Sequence, residues 1–123
     1  MHGRGVLIFP NSTRYAGQFK DGCAEGYGEK YWADGRSYKG YWKANKMQGK
    51  GELLSLSGDL YIGGFKGGFP HGQGIRRWPN GDIYEGGYRV GYQDGIGTFI
   101  SVEQGWKYMG EWVAGMMQGR AVC

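Results

Sequence analysis

Five tyrosines, Tyr15, Tyr38, Tyr61, Tyr84 and Tyr108, begin five near-copies of one sentence. Their spacing is 23 residues three times and then 24. Each is followed two places on by Gly (Gly17, Gly40, Gly63, Gly86, Gly110) and four places on by a ring (Phe19, Trp42, Phe65, Tyr88, Trp112). Seven places on stands Gly22, Asn45, Gly68, Gly91 or Gly115. Gly-x-Gly follows at 26/28, 49/51, 72/74 and 95/97, with Gly119 and Ala121 ending the series. A period this regular decides the architecture, because each copy must build the same supersecondary unit.

The unit reads as a β-hairpin. Tyr15, Gly17 and Phe19 alternate, so they share one face of a strand. Asp21-Gly22 starts a tight turn, and 26–32 returns as the second strand. Asp34-Gly35, Ser57-Gly58 and Asn80-Gly81 then turn into the following unit; such pairs suit turns that need positive φ. Asn45 replaces Gly at one turn and tolerates the left-handed region, while Ser12 stands where later units have Gly. Pro70 and Pro79 fall in connections, where a missing donor costs nothing. One extra residue after Gly97 predicts a bulge or longer turn near Glu103-Gln104-Gly105. No stretch has helical periodicity.

The expectation is an all-β, elongated single-sheet solenoid of antiparallel hairpins: about eleven strands in a meander, with no helix. The whole chain, 1–123, is one array: a partial unit 1–14, full units 15–37, 38–60, 61–83 and 84–107, and a truncated unit 108–123. The 27 glycines are about three times average usage. Without a period they would signal disorder. Here they share a face with the rings, so a ring from a neighbouring strand can rest on bare backbone. The partial units predict open ends, hence a piece of a longer array or self-association through those ends.

The pattern Tyr-x-Gly-x-aromatic-x-x-Gly-x-x-x-Gly-x-Gly resembles the MORN repeat (membrane occupation and recognition nexus) over essentially the whole chain. The departures are Ser12, Asn45 and Ala121. The resemblance implies an array of hairpins that acts as a scaffold for proteins, with links to phosphoinositide membranes and to cytoskeletal and ciliary assemblies.

Catalytic and cofactor chemistry finds no constellation. His2 and His71 both precede the first Gly of Gly-x-Gly, where other units carry Glu25, Gln48, Asp94 and Gln118, so the position asks for a polar turn residue. Two such histidines and two cysteines give no zinc pattern. The Gly-x-Gly stretches lead into strands, whereas a phosphate loop must open a helix. We expect a non-enzyme with no cofactor and no metal. Cys23 and Cys123 lie near opposite ends of the array, too far apart to bridge. Free thiols and a start without a secretory pattern predict a cytoplasmic location, with membrane or cytoskeletal association.

Two faces carry the functional expectations. Tyr38, Trp42, Tyr61, Phe65, Tyr84 and Tyr88 form the ring-rich side, expected to leave exposed rings as a groove for a partner helix or peptide. The opposite, charge-rich side bears Lys20, Lys43, Lys66 and Arg89, each after the strand ring, with Lys39, Lys46 and Lys50 nearby. The leading function is protein–protein scaffolding along the aromatic face. The alternative is a peripheral membrane module holding anionic phospholipid, including phosphoinositide, on the basic ladder. A net charge of +4 favours acidic partners. No nucleic acid is expected, since the rings are needed for stacking between repeats.

Overall fold

The computed structural model describes residues 3–117. Its strands are β1 (Gly3–Ile8), β2 (Arg14–Lys20), β3 (Cys23–Tyr31), β4 (Ser37–Lys43), β5 (Lys46–Leu54), β6 (Leu60–Lys66), β7 (Phe69–Arg77), β8 (Ile83–Arg89), β9 (Tyr92–Ser101), β10 (Trp106–Val113) and β11 (Met116–Met117). All pair antiparallel, in chain order, in one sheet. The described residues contain no helix. Expectations that rest on His2, Gln118, Gly119, Ala121 and Cys123 lie outside the described residues.

Two turn types alternate along the two long edges. At the hairpin tips both central residues have positive φ: Asp21/Gly22, Ala44/Asn45, Gly67/Gly68, Val90/Gly91 and Ala114/Gly115. This is the turn whose twist matches that of the flanking strands. At the corners between units, the Trp32 N–H donates to the Arg36 carbonyl (3.0 Å) and the Gly35 N–H to the Trp32 carbonyl (3.1 Å). Gly35, Gly58 and Gly81 hold the positive φ there, and Ser12 takes φ 76° in their place. The extra residue of the fourth unit lengthens the corner at 102–105, where the Gly105 N–H reaches the Ser101 carbonyl.

Neighbouring hairpins are tied at their tips. Asn45, Gly68, Gly91 and Gly115 donate N–H to Ala24, Met47, Pro70 and Gln93 of the preceding unit. The polar residue before each Gly-x-Gly does the converse. Glu25, Gln48 and His71 accept the N–H of Ala44, Gly67 and Val90 in the next turn. That explains the polar preference at the His71 position. The strands also differ from expectation at Pro70, which lies inside β7 rather than in a connection. In the first unit the equivalent Ala24 spends its N–H on the Asn45 side chain, not on the ladder. In the third unit that partner position is Gly91, which has no side chain, so a residue without an N–H fits.

The registers align one glycine from every long strand. Gly5, Gly17, Gly28, Gly40, Gly51, Gly63, Gly74, Gly86, Gly97 and Gly110 are cross-strand neighbours in unbroken sequence. The tyrosine rings lie over this bare line. A Cβ on Gly28, Gly51, Gly74 or Gly97 would collide with Tyr15, Tyr38, Tyr61 or Tyr84. A bulge follows each glycine of the first strand, between Gly17 and Phe19, Gly40 and Trp42, Gly63 and Phe65, and Gly86 and Tyr88. A bulged residue loses its ladder partner. Here its carbonyl accepts the tyrosine hydroxyl instead: Tyr15 to Gln18, Tyr38 to Tyr41, Tyr61 to Gly64 and Tyr84 to Gly87, at 2.8–2.9 Å.

The core is a single chain of edge-to-face rings: Phe19, Tyr15, Trp42, Tyr38, Phe65, Tyr61, Tyr88, Tyr84, Trp112, Tyr108. Centroids are 4.9–5.6 Å apart. Each such contact adds about 0.5–1.5 kcal/mol beyond area burial. The ring four places after each tyrosine sits between that tyrosine and the previous one, so every unit is packed into its neighbour. Two indoles also bind backbone, Trp42 to the Gly28 carbonyl (3.1 Å) and Trp112 to that of Gly97 (3.3 Å).

Candidate partner-binding face

The ring face has a floor and a rim. The floor is the zigzag of rings, and it is covered. Tyr38 and Tyr84 have no exposed surface, and Trp42, Tyr61, Phe65 and Tyr88 are 4–6% exposed. The expectation that these six form an exposed strip is therefore corrected. Glycine removes the side chains that would lift a ring off the sheet, so each ring sinks onto backbone and its neighbours close over it. A partner cannot meet these rings without displacing them.

What solvent meets is the rim. Leu7, Trp32, Leu53, Trp78, Phe99 and Trp106 are half-buried and pack on the ring core. The row crossing the sheet through the tyrosines runs Leu7, Tyr15, Lys30, Tyr38, Leu53, Tyr61, Arg76, Tyr84, Phe99, Tyr108. The residue fifteen places after a tyrosine thus varies: Lys30, Leu53, Arg76, Phe99. Seventeen places after stand Trp32, Ser55, Trp78 and Ser101. The Lys30 ammonium lies 5.0 Å from the Trp32 ring centroid and the Arg76 guanidinium 5.1 Å from that of Trp78. Sequence reasoning missed the rim because it searched for what repeats, and these positions alternate.

Charge on this face is sparse. Arg76 pairs with the buried Asp59. Burial, then the nearby Arg36, pulls the Lys30 ammonium below the ordinary lysine value. Burial pushes Tyr61 and Tyr84 up to about 12 and raises Tyr38 and Tyr88 further. The Tyr88 hydroxyl is buried with no hydrogen-bond partner at ordinary geometry, with the Arg76 guanidinium close enough to favour its ionised form.

The opposite face carries charge of both signs, with Glu29, Lys39 and Glu52 in one cross-strand row and Arg77 and Glu85 further on, but it also holds aliphatic side chains that the sequence reading did not anticipate. Cross-strand rows place Leu54, Leu60, Arg77, Ile83 and Ile100 together, with Ile62 and Ile75 alongside. Its aromatic part is a Tyr27–Tyr41 edge contact, centroids 5.6 Å apart. Lys39 and Lys50 are exposed on this face. Lys20, Lys43, Lys46, Lys66 and Arg89 are exposed too, gathered at the hairpin tips. Register pairs Lys66 with Phe69 and Arg89 with Tyr92, whose rings are 54% and 62% exposed. The basic ladder is thus an edge feature that carries exposed rings in its later units.

Among the described residues no group of three or more His, Cys, Asp or Glu side chains could hold a metal ion. Cys23 is a half-buried free thiol. No helix there is long and apolar enough to cross a membrane.

The sequence family described as MORN repeat matches residues 1–14, 15–35, 38–59, 61–83 and 108–123. The chain belongs to the MORN-repeat family. MORN repeats are typically protein- and membrane-association modules and generally non-catalytic. Residues 84–107, outside those matched segments, build the same bulged hairpin. The chain is also similar to Alsin of Homo sapiens, Pan troglodytes and Mus musculus, each 42% identical over 50 residues. That segment is 37% of this chain and 3% of Alsin, so the chain spans a very small part of those relatives' length.

Proposed function

We propose that this MORN-repeat chain is a non-catalytic scaffold that seats a partner helix or peptide on the rim of its ring face. One observation carries the reading: Trp32, Leu53, Trp78, Phe99 and Trp106 stand half-exposed along one side of a sheet that has no second layer among the described residues. Tryptophan is the side chain most enriched where binding energy concentrates. The partner would bury rim rings and leave the tyrosine floor intact. The test is a displayed library of random peptides selected on the full chain. Trp78→Ala and Trp106→Ala should each weaken the selected peptides by about tenfold, or roughly 1.4 kcal/mol, measured at a temperature where the melting curve shows each variant folded. Binding that survives both but falls with Ile62→Ser would move the partner to the other face.

A second reading is supported by the hairpin-tip edge, where Lys66 and Arg89 stand beside exposed Phe69 and Tyr92. Cations with exposed rings along one edge suit the interface of an anionic bilayer, each cation contributing about 1 kcal/mol. Changing Lys20, Lys43, Lys66 and Arg89 to Glu should abolish flotation with phosphatidylserine or phosphoinositide vesicles, and salt should weaken the unaltered chain. Flotation indifferent to both would make the ladder a solvated edge. On either reading we place the chain in the cytoplasm, at membranes or cytoskeletal assemblies.

A further inference from the structure

The first and third units set a cation over a tryptophan at the same two repeat positions, but they differ in one respect. In the third unit, Arg76 is neutralised by Asp59, two residues before Tyr61. In the first unit, the residue two before Tyr15 is Thr13, which is buried and uncharged. Lys30 therefore has no carboxylate partner among the described residues. Asp34, at the neighbouring corner, pairs with Arg36 at 2.9 Å. Arg36 itself adds a second cation, 4.9 Å from the Trp32 ring centroid.

Lys30 also sits between two adjoining hollows. One, of about 380 Å³, is lined by Phe9, Pro10, Asn11, Thr13, Lys30 and Trp32. The other, of about 280 Å³, includes Leu7, Phe9, Tyr15, Lys30, Trp42 and Asn45. The ammonium is 5.6 Å from the Phe9 ring centroid and 5.9 Å from that of Trp42. The walls are mostly apolar, with Asn11, Thr13 and Asn45 as neutral polar members, and Lys30 is the one charged residue among the described residues that line them. A half-buried ammonium held over rings, with no carboxylate beside it among the described residues, is open to an anionic partner.

We infer that the Lys30 site binds an aspartate or glutamate side chain of the partner peptide, flanked by apolar side chains that fill the Phe9–Trp32 and Leu7–Trp42 hollows. This rests on the rim-binding reading above and adds the chemistry of one contact. The partner's acid would play the part that Asp59 plays for Arg76. A lipid headgroup suits the site less, because the cation is recessed among rings and the exposed ladder lies on the hairpin tips.

The test uses peptides selected from a random displayed library on the full chain, measured by fluorescence polarisation. Selected sequences should carry Asp or Glu beside Leu, Ile, Phe or Trp. Changing that acid to its amide should weaken binding about tenfold, the range for a charge-assisted hydrogen bond. On Lys30→Met the same change should have little effect, and Lys30→Arg should restore the difference. Equal melting of both variants separates these results from unfolding. Peptides that bind without an acid, or an acid effect undiminished in Lys30→Met, overturn the inference and leave the scaffold reading standing. Recovery of no peptide removes both. Loss of flotation with phosphatidylserine vesicles in Lys30→Met, with the peptide acid irrelevant, assigns the site to lipid instead.

Discussion

The Tyr38 ring occupies the space that a side chain on Gly51 would need. A Cβ at residue 51 would come within 2.5 Å of Tyr38 Cε1 and closer still to the hydroxyl. Gly51→Ala must lift the ring from the sheet, and it should cost about 1–3 kcal/mol, the overpacking range. Gly5 supplies the control: it lies on the same glycine line, but nothing approaches its absent Cβ nearer than 3.5 Å. Gly5→Ala should change stability by no more than about 0.5 kcal/mol. Urea unfolding of the two variants checks both, and equal midpoints would remove the account of ring seating.

Tyr84 and Tyr88 are neighbouring buried phenols with unequal prospects. The Tyr84 hydroxyl donates to the Gly87 carbonyl at 2.9 Å, whereas the Tyr88 hydroxyl makes no hydrogen bond of ordinary geometry and lies near the Arg76 guanidinium. Tyr84→Phe leaves a buried carbonyl without its donor and should cost about 1–3 kcal/mol. Tyr88→Phe removes a hydroxyl with no ordinary hydrogen bond and only the nearby Arg76 guanidinium to lose, so it should cost less than about 1 kcal/mol. Thermal melts of the pair decide it, and a larger loss at Tyr88 would refute the assignment.

Alkali should unfold the array through its floor. Burial raises Tyr61 and Tyr84 to about 12, while the unfolded phenol titrates near 10. Below about pH 10 both states keep the proton and this contribution is fully present. Above it the unfolded chain releases protons first, so stability falls until pH passes the folded value. The urea midpoint should be lower at about pH 11 than at about pH 9, with the part of the tyrosinate absorbance that belongs to the buried phenols appearing together with unfolding. An unchanged midpoint would mean that the rings are open to water.

Val90 holds φ 45° at a hairpin tip, a conformation that a β-branched residue rarely adopts. Val90→Asn keeps the turn and relieves the clash, so it should add about 1 kcal/mol. A differential melt of the full chain measures it; a loss of stability would show that Val90 contributes more by contact than it costs in strain.

The hairpins, the turn positions and the face shared by Tyr15, Gly17 and Phe19 were legible because each rests on local spacing. The glycine line was half legible. The spacing fixes the glycines within one unit, but their coincidence across β3 and β4 depends on the corner turn, which sets the register. The bulges were not legible: Gln18, Tyr41, Gly64 and Gly87 share no residue type, and what they share is a carbonyl that takes a tyrosine hydroxyl. Ring burial was misjudged for a related reason. A single sheet was expected to leave its rings wet, yet a ring lowered onto glycine is covered by the rings on either side. The aliphatic rows at Leu54, Leu60, Ile83 and Ile100 escaped because only the alternation after each tyrosine was followed, and the return strands carry their own.

The core repeats every 23 residues, but the rim repeats every 46, since Lys30 and Trp32 are answered by Arg76 and Trp78 with Leu53 and Ser55 between them. A bound segment that slid by one unit, about 9–10 Å across two strands, would carry an acid from Lys30 to Leu53. A slide by two units would bring it to Arg76, whose charge Asp59 already occupies. An array whose core pattern recurs in every unit thus has an exterior that tells its units apart, and on the binding reading proposed above a ligand laid along it would stop at Lys30.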